Sequence, residues 1–468
     1  MTVAVFRKIG FLVIFLVCHV GVLYSQPHVS SAAIGNKGVT ETGAQQTEHR
    51  IKAFPGSQGF GAFAQGGRGG RVLQVTNLED NGKGSLRWAI QQEGPRTIVF
   101  RVSGTIILQS ELIIENPYIT IAGQTAPGDG ICIRDGSLVI STHNVVIRYL
   151  RSRLGDRGER GDAISISEGH DIIVDHCSAS WSTDEVLSAS TGAPDLTNVT
   201  VQWCFITEAL NFENHGFGSL IRGTEGARYS FHHNLYAHNR GRNPRPGNYD
   251  RNPRQEDPDG LLLDFRNNVI YNWGGAHAGY NADSISITKL NYVGNFLISG
   301  PDSENNGIAY QTGSPFNKAY FQNNYYNFEK PENRWDIVNF GDEWSQQQIE
   351  AYKRTRPFPS GSIVTDGPQE AFEQVLAHGG ASLPKRDPVD ARVVNDIRNR
   401  TGTIIDSQSE VGGWPKLQSE PAPEDSDRDG MPDRWEETHG LDPGNAADRN
   451  KTAADGYTML EKYLHSLL

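Results

Sequence analysis

One pattern recurs in YSFHHNLYA at residues 229–237, LDFRNNVIY at 263–271 and LNYVGNFLI at 290–298: a strand-like run with asparagine at its sixth position. Aligning the neighbouring runs extends this column over seven positions: Leu150, Cys177, Cys204, Asn234, Asn268, Asn295 and Asn324. The steps between these positions are 27, 27, 30, 34, 27 and 29 residues. A repeat of this length, with one strand-like run in each unit, is typical of a solenoid.

The repeated asparagines predict how the turns of this solenoid stack. Identical amides in one column can hydrogen-bond to one another at the strand spacing of about 4.8 Å, which builds a ladder inside the fold. We therefore expect an all-β chain that forms a right-handed single-stranded parallel β-helix. Such a solenoid presents a long groove that suits an extended polymer.

The composition bounds the compartment and the partners of the chain. Its 468 residues carry a formal net charge of −12, which argues against nucleic acid as a partner. Arg7 and Lys8 precede an apolar run at residues 10–23, so residues 1–25 are predicted to be a secretory signal peptide. That run is too short to predict a membrane span, and no comparable run follows it. We expect an exported monomer, either extracellular or periplasmic.

The cysteines do not form the usual framework of a disulfide-rich secreted protein. Removal of the signal peptide would leave three of them, Cys132, Cys177 and Cys204, which is an odd number. Two share the column with the asparagines, so we interpret them as buried thiols that pack as small hydrophobic residues.

The chain divides into segments by composition and by loss of the repeat. Residues 331–410 lose the period and gain helical spacing, as at 371–376. Residues 82–90 favour a turn that leads into a short helix, which would cover the open end of the solenoid. The predicted segments are a signal peptide at 1–25, a linker at 26–50, the β-helix domain with a C-terminal extension at 51–410, a second linker at 411–424 and a small calcium-binding module at 425–468.

The C-terminal module begins with a sequence that favours calcium. Carboxylates occupy loop positions 1, 3, 5, 9 and 12, and Gly430 at position 6 permits a sharp turn. The loop resembles the calcium repeats of dockerin-like and thrombospondin type 3-like modules. A second segment from 448 to 461 matches less well, because Glu461 is out of register for position 12. We expect a structural or docking role. The predicted ligands are Asp425, Asp427, Asp429, Asp433 and Glu436.

A second acidic cluster is predicted on the solenoid itself. Asp162 precedes Asp184 by 22 residues, close to one turn, so both carboxylates are expected on the same face, next to Glu185. Clustered carboxylate oxygens suit a hard divalent cation. A basic stretch at residues 240–245 lies about two turns later and can reach the same face. Because the whole chain is acidic, an anionic substrate must be held there by local cations.

Five motifs, in this order on a β-helix, resemble polysaccharide lyase family 1, the pectate lyases. They are GSLR at 84–87, VSGTI at 102–106, IVDH at 173–176, HHN at 232–234 and RNPR at 242–245. The resemblance covers roughly residues 51–330 and rests on the combination, since no single motif is specific. It implies cleavage of polygalacturonate by β-elimination, with Ca²⁺ bridging the carboxylates of the substrate to those of the enzyme.

The resemblance also implies the catalytic and metal-binding residues. Arg242 corresponds to the arginine that removes the proton from C5 of the sugar, and Asp162, Asp184 and Glu185 correspond to the ligands of the catalytic calcium. Arginine has an ordinary pKa above 12 and is protonated at neutral pH. We therefore expect an alkaline optimum.

Three further residues are predicted to bind the substrate. Arg245 would hold a substrate carboxylate through its bidentate fork, with Arg240 beside it. The family has a substrate-gripping lysine for which no counterpart stands between Thr207 and Arg240. His215 is the candidate replacement.

Two alternatives remain open from the sequence alone. A glycoside hydrolase of the polygalacturonase type could use Asp162, Asp184 and Glu185 as its acid and base, but it would leave the arginines without a mechanistic role. A secreted carbohydrate-binding scaffold or adhesin would need no chemistry, and fold alone does not exclude it. The reaction product separates the enzymes, because a lyase leaves an unsaturated uronate.

Overall fold

Parallel β-strands that coil around a common axis make up most of the chain, which confirms the predicted parallel β-helix. The structure, a computed structural model, describes residues 50–157, 160–248, 257–281 and 283–468. The predicted signal peptide and residues 26–49 of the predicted linker lie outside the described residues. Residues 50–468 form one compact unit. Within the described ranges, no helix is both long and apolar enough to cross a membrane.

Each turn of the β-helix contributes one strand to each of three faces. Sheets A, B and C form these faces, and the shorter sheet D takes the place of sheet C in the last three turns. Sheet A holds β1 (Arg71–Val75), β2 (Arg96–Phe100), β5 (Ile119–Ala122), β8 (Val145–Arg148), β11 (His170–Asp175), β14 (Thr197–Gln202), β17 (Ala227–His232), β20 (Leu261–Arg266), β23 (Thr288–Val293) and β26 (Lys318–Gln322). Sheet B holds β3 (Gly104–Ile107), β6 (Ile131–Arg134), β9 (Arg151–Arg153), β12 (Ser178–Ser180), β15 (Phe205–Thr207), β18 (Leu235–Ala237), β21 (Val269–Tyr271), β24 (Phe296–Ile298) and β27 (Tyr325–Tyr326). Sheet C holds β4 (Leu112–Ile114), β7 (Leu138–Ser141), β10 (Ile164–Glu168), β13 (Leu187–Ser190), β16 (Leu220–Arg222) and β19 (Arg245–Gly247), and sheet D holds β22 (Gly279–Tyr280), β25 (Tyr310–Gln311) and β28 (Val338–Asn339).

The bend from sheet A to sheet B repeats the same backbone geometry from turn to turn. The residue after the strand takes the left-handed conformation at Tyr149, His176, Trp203 and His233, with φ of 55°, 50°, 55° and 55°. A non-glycine residue adopts this conformation at a cost. The four rings stack in order along the solenoid with centroids 4.9, 5.7 and 4.5 Å apart, which offsets part of that cost.

The predicted asparagine ladder follows directly after this bend and is confirmed. The Asn234 side-chain amide donates to Asn268 Oδ1 at 3.0 Å, Asn268 donates to Asn295 at 3.2 Å, and Asn295 donates to Asn324 at 3.0 Å. Each Oδ1 also accepts a backbone N–H from the turn before, as in the 3.0 Å bond from Asn268 N to Asn295. The ladder thus sets the register of four successive turns.

The interior of the solenoid is apolar and its cysteines are unpaired. Phe265, Tyr292 and Phe321 stack from turn to turn with centroids 5.4 and 4.8 Å apart, and all three are buried. The three cysteines of the described chain are free and buried, as predicted.

Helices cover the ends and one side of the β-helix. The short helix predicted near residue 86 is present, begins at the Ser85 hydroxyl and buries Leu86 and Ile90. The helical spacing at 371–376 is also confirmed, and Phe372 packs there against sheet B. The α-helices of the described residues are α1 (Leu86–Ile90), α2 (Gln346–Tyr352), α3 (Pro368–His378), α4 (Pro388–Asn399), α5 (Asp433–Thr438) and α6 (Met459–Ser466).

The C-terminal segment packs onto the first turns of sheet A. Met431, Leu460 and Leu464 form one apolar cluster with Val72 of β1 and Ala122 of β5. The predicted linker at 411–424 also contacts the β-helix, since the indole Nε1–H of Trp414 donates to Arg153 O at 3.1 Å. The domain boundaries at 411–424 and 425–468 stay predictions.

Candidate active site

The predicted site residues gather in the bends that lead into sheet C. Each bend lies directly before a sheet C strand, so residues far apart in sequence stack on neighbouring turns. Isolated parallel bridges from Glu185 to Phe217 and from Phe217 to Gly241 hold these bends in register. Asp162 precedes β10, Asp184 and Glu185 precede β13, His215 precedes β16, and Arg240 and Arg242 precede β19, which begins at Arg245.

The acidic side of the site combines two adjacent turns. The Asp162 carboxylate accepts the Glu185 backbone N–H at 3.1 Å, and the Asp184 N–H bonds to Gly161 O at 3.2 Å. Burial and the neighbouring Asp184 charge raise the pKa of Asp162 to about 8, although Ser188 and Ser165 bond to its carboxyl group. This site is therefore costly to ionise without a cation.

His215 joins the acidic cluster. Its Nε2 lies 2.6 Å from Asp184 Oδ1, and one ligand atom from each of Asp184, Glu185 and His215 lies within 4.8 Å of the others. The imidazole meets the ring of Phe217 edge-on, with centroids 4.5 Å apart. Calcium prefers oxygen, so the two carboxylates suit it and the imidazole suits a hydrogen-bonding role beside them.

Arg242 faces the same cluster from two turns further along the β-helix. Its guanidinium forms an ion pair with Glu185 and lies over the Phe217 ring, with Cζ 4.0 Å from the centroid. Burial lowers the pKa of Arg242 and the Arg245 charge lowers it further, while a hydrogen bond with Tyr280 opposes the shift. The backbone at Arg242 is left-handed, with φ of 57°, as it is at many other bends of this β-helix.

The other predicted substrate-binding arginines flank Arg242. Arg245 lies over the Tyr280 ring at 5.6 Å, and burial lowers its pKa, as does the charge of Arg222. Arg240 is exposed and its Nη1 donates to Asn214 Oδ1 at 2.6 Å. The site thus places three cationic side chains on one side of the acidic cluster.

A groove continues from the site along the first turns of sheet C. One open depression is lined by Asp156, Arg160 and the exposed Phe212, and a second runs past Arg160 to Arg157 and Ile113. Arg160 Nη2 lies 3.4 Å from Asp184 Oδ1, so the groove connects to the acidic cluster. The lining combines these two arginines with carboxylates, among them Asp156, Glu213 and Glu111, and with apolar side chains.

Sequence reasoning missed two residues of the site. Phe217 separates His215 from Arg242, and Tyr280, on the turn after Arg245, hydrogen-bonds to Arg242. Neither stands in a motif of charged residues. Their places depend on loop lengths that vary from turn to turn, so the repeat gave no signal for them.

Curated relatives show which class this fold and site represent. The chain is 36% identical over 428 residues to probable pectate lyase C of Aspergillus flavus. The alignment covers 89% of this chain and 94% of that protein. It is 36% identical over 448 residues to probable pectate lyase C of Aspergillus fumigatus, covering 95% of this chain and 98% of the relative. The protein is a polysaccharide lyase, which decides against the hydrolase and against the non-catalytic scaffold. It belongs to the pectate lyase family.

Other comparisons are weaker. Probable pectate lyase P56 of Solanum lycopersicum is 37% identical over 182 residues, which cover 34% of this chain and 45% of that protein. The crystal structure of pectate lyase Bsp165PelA from Bacillus sp. N165, in complex with trigalacturonate, has a TM-score of 0.46 and 16% identity, covering 69% of this chain and 98% of that one. No protein-family model matches the chain.

Proposed function

We propose that this lyase is secreted and cleaves polygalacturonate by calcium-dependent β-elimination, with Arg242 as the base. The observation that carries the proposal is the half-buried Arg242 guanidinium, paired with Glu185 beside two further aspartates. A base that faces a cation site is what proton abstraction next to a carboxylate requires.

The donor set fits Ca²⁺. Asp162, Asp184 and Glu185 would hold the ion, because their oxygens are hard ligands and the charge of Asp184 already raises the pKa of Asp162. A bound calcium supplies charge stabilisation for the enolate-like carboxylate that develops as the C5 proton leaves. Engaging Glu185 with a cation would also release Arg242 from its ion pair.

The residues of the chain then divide the reaction between them. The neutral guanidine of Arg242 takes the proton from C5 of the sugar. The electron pair of the C5–H bond forms the C4–C5 double bond, and the bond from C4 to the leaving oxygen breaks. That oxygen departs with the electron pair of the broken bond and takes a proton from water, and the protonated Arg242 returns its proton to solvent. Arg245 holds the substrate carboxylate, and Arg240 and His215 position the neighbouring sugar.

Near-ultraviolet absorbance tests this proposal, because the unsaturated uronate product absorbs there. Purified protein is incubated with polygalacturonate at alkaline pH, with calcium and then with chelator. We expect absorbance that rises with calcium and stops with chelator. Activity that persists unchanged in chelator would overturn the calcium requirement, and inactivity on polygalacturonate with turnover of another uronate polymer would overturn the substrate.

Two variants test the base. Arg242→Ala should lower kcat by about 10²–10⁴-fold, the usual contribution of a general base. The exposed Arg398, which lies on α4 far along the chain and contacts Glu373 at 3.3 Å, provides the matched control as Arg398→Ala. Equal activity of the two variants would show that Arg242 is not the base.

A further inference from the structure

Five carboxylates from two separate segments meet at the C-terminal end of the chain. Ligand atoms of Asp425, Asp427 and Asp429 lie within 4.8 Å of one another, and so do those of Asp429, Glu436 and Asp448. Oxygens held about 2.4 Å from one calcium ion can be at most about 5 Å apart, so both groups match one coordination sphere that shares Asp429. Asp448 comes from outside the loop that the sequence pattern defines.

Buried oxygens without partners point into this cluster. Within the described residues, neither carboxylate oxygen of Glu436 has a hydrogen-bond partner, although the residue is 0% exposed. Asp429 Oδ2 and Asp448 Oδ1 are also buried and lack such partners, and each residue is 1% exposed. Folded proteins leave very few buried carboxylates unsatisfied, and a bound cation would supply the missing partner of these atoms.

The predicted ligand Asp433, unlike Glu436, has hydrogen-bond partners for both of its carboxylate oxygens. Its two oxygens accept the Ser426 backbone N–H at 2.7 Å and the Ser426 hydroxyl at 2.6 Å. Its carboxylate therefore closes the loop, as position 9 often does when its contact to the ion runs through water.

One ligand also contacts the β-helix. Asp425 Oδ2 accepts the side-chain amide of Gln74 on β1 at 2.8 Å and lies 3.8 Å from Arg101 Nη1, just past β2. Arg101 also donates to Pro423 O, and Met431, inside the loop, packs on Val72 and Ala122. A well-ordered loop therefore supports the contact between the C-terminal segment and the first turns of sheet A.

We propose that one Ca²⁺, bound by Asp425, Asp427, Asp429, Glu436 and Asp448, staples the C-terminal segment onto the first turns of sheet A. The ligand set is all oxygen and strongly anionic, which favours calcium over transition metals. The role is structural, and the inference does not depend on the proposed catalytic calcium.

Calcium titration calorimetry on the full chain tests the ligand set. Asp184→Asn serves as the background, because it disables the predicted catalytic cation site and keeps the two proposals distinguishable. In that background we expect one Ca²⁺ per chain, and a loss of affinity of at least about tenfold on adding Asp448→Asn. Asp455→Asn, an exposed carboxylate of the same segment that contacts Lys462, is the control and should bind as the background does. Equal binding by both variants would overturn the site.

Thermal unfolding tests the staple. Calcium should raise the unfolding temperature of the Asp184→Asn background, and Glu436→Gln should abolish that rise. In chelator, Glu436→Gln should be at least as stable as its parent, because a neutral amide replaces a buried, mutually repelling carboxylate. Calcium binding that leaves the unfolding temperature unchanged would overturn the structural role.

Discussion

At the scale of single residues, the proposed role of Arg242 as the base depends on how its surroundings change its pKa. A guanidinium is a poor base unless its surroundings disfavour the charge. Burial and the nearby Arg245 lower its pKa from its ordinary value, and the hydrogen bond with Tyr280 and the charge of Asp184 oppose them. The neutral base therefore becomes more populated as the pH rises.

This direction predicts the pH profile of the lyase. We expect kcat at saturating calcium to rise from neutral into alkaline pH, because a group whose pKa stays on the alkaline side loses its proton there. Arg242→Lys should retain a small part of the activity with the rise shifted to lower pH, since lysine has the lower ordinary pKa. Steady-state kinetics across pH for both proteins measure this. An identical midpoint for the two would show that another group controls the profile.

Asp162 predicts a second pH effect, this time on calcium. Burial and Asp184 raise the pKa of Asp162 to about 8, so below that pH the carboxyl group holds a proton that a cation must displace. The calcium concentration for half-maximal activity should rise as the pH falls through about 8. Calcium titrations of the initial rate at several pH values test it. A requirement that does not change with pH would contradict the role of Asp162 as a ligand.

The sequence was informative about these residues where spacing matched a turn. Asp162 and Asp184 are 22 residues apart and do lie on adjacent turns, because the bends before sheet C stack in parallel. Phe217 was missed as a site residue, and Asp448 was placed in a weaker second calcium segment and not with the ligands of the first loop. Their places depend on loop lengths that vary between turns and on a packing contact between distant segments, and neither leaves a periodic signal.

At the scale of elements, the asparagine ladder is the feature that the sequence determined most fully. Its period and residue type define both partners of every bond. The helices could be predicted only in part. Their spacing indicated a helix at 371–376, but it did not indicate which residues the helices contact. Arg153 on β9 donates to Asp387 at 2.9 Å and to Asp390 at 2.8 Å at the start of α4, and nothing in their separation indicates that pairing.

Removing one rung of the ladder should destabilise the fold. Asn268→Ala removes the side-chain bonds to Asn295 and to Phe231 O. It also removes the acceptor of one side-chain N–H and of the backbone N–H of Asn234. Leaving buried polar groups unsatisfied costs about 1–3 kcal/mol each, so we expect a loss of about 2–5 kcal/mol. Asn399→Ala, an exposed asparagine of α4, should change stability by less than about 0.5 kcal/mol. Urea unfolding followed by tryptophan fluorescence compares the two, and equal midpoints would contradict the ladder's role.

At the scale of the whole molecule, the net charge has the same sign as the proposed substrate. The chain carries a formal net charge of −12, yet the groove of an enzyme for an anionic polymer must attract carboxylates. Arg240, Arg242 and Arg245 lie instead at the start of β19 of sheet C, on a different face from the C-terminal acidic cluster on sheet A. Under the proposed function, these local cations and not the overall charge would hold the substrate.

That separation of faces predicts the effect of deleting residues 425–468. The deletion uncovers Val72 and Ala122 and removes the partners of Gln74 and Arg101, so the first turns of sheet A become exposed and less stable. We expect a lower unfolding temperature and binding of an apolar dye, with lyase activity retained at low temperature because sheet C is untouched. The full chain in chelator is the control and should fall between the intact and the deleted protein. An unfolding temperature equal to that of the full chain would show instead that residues 425–468 fold as the independent module that the composition of residues 411–424 predicts.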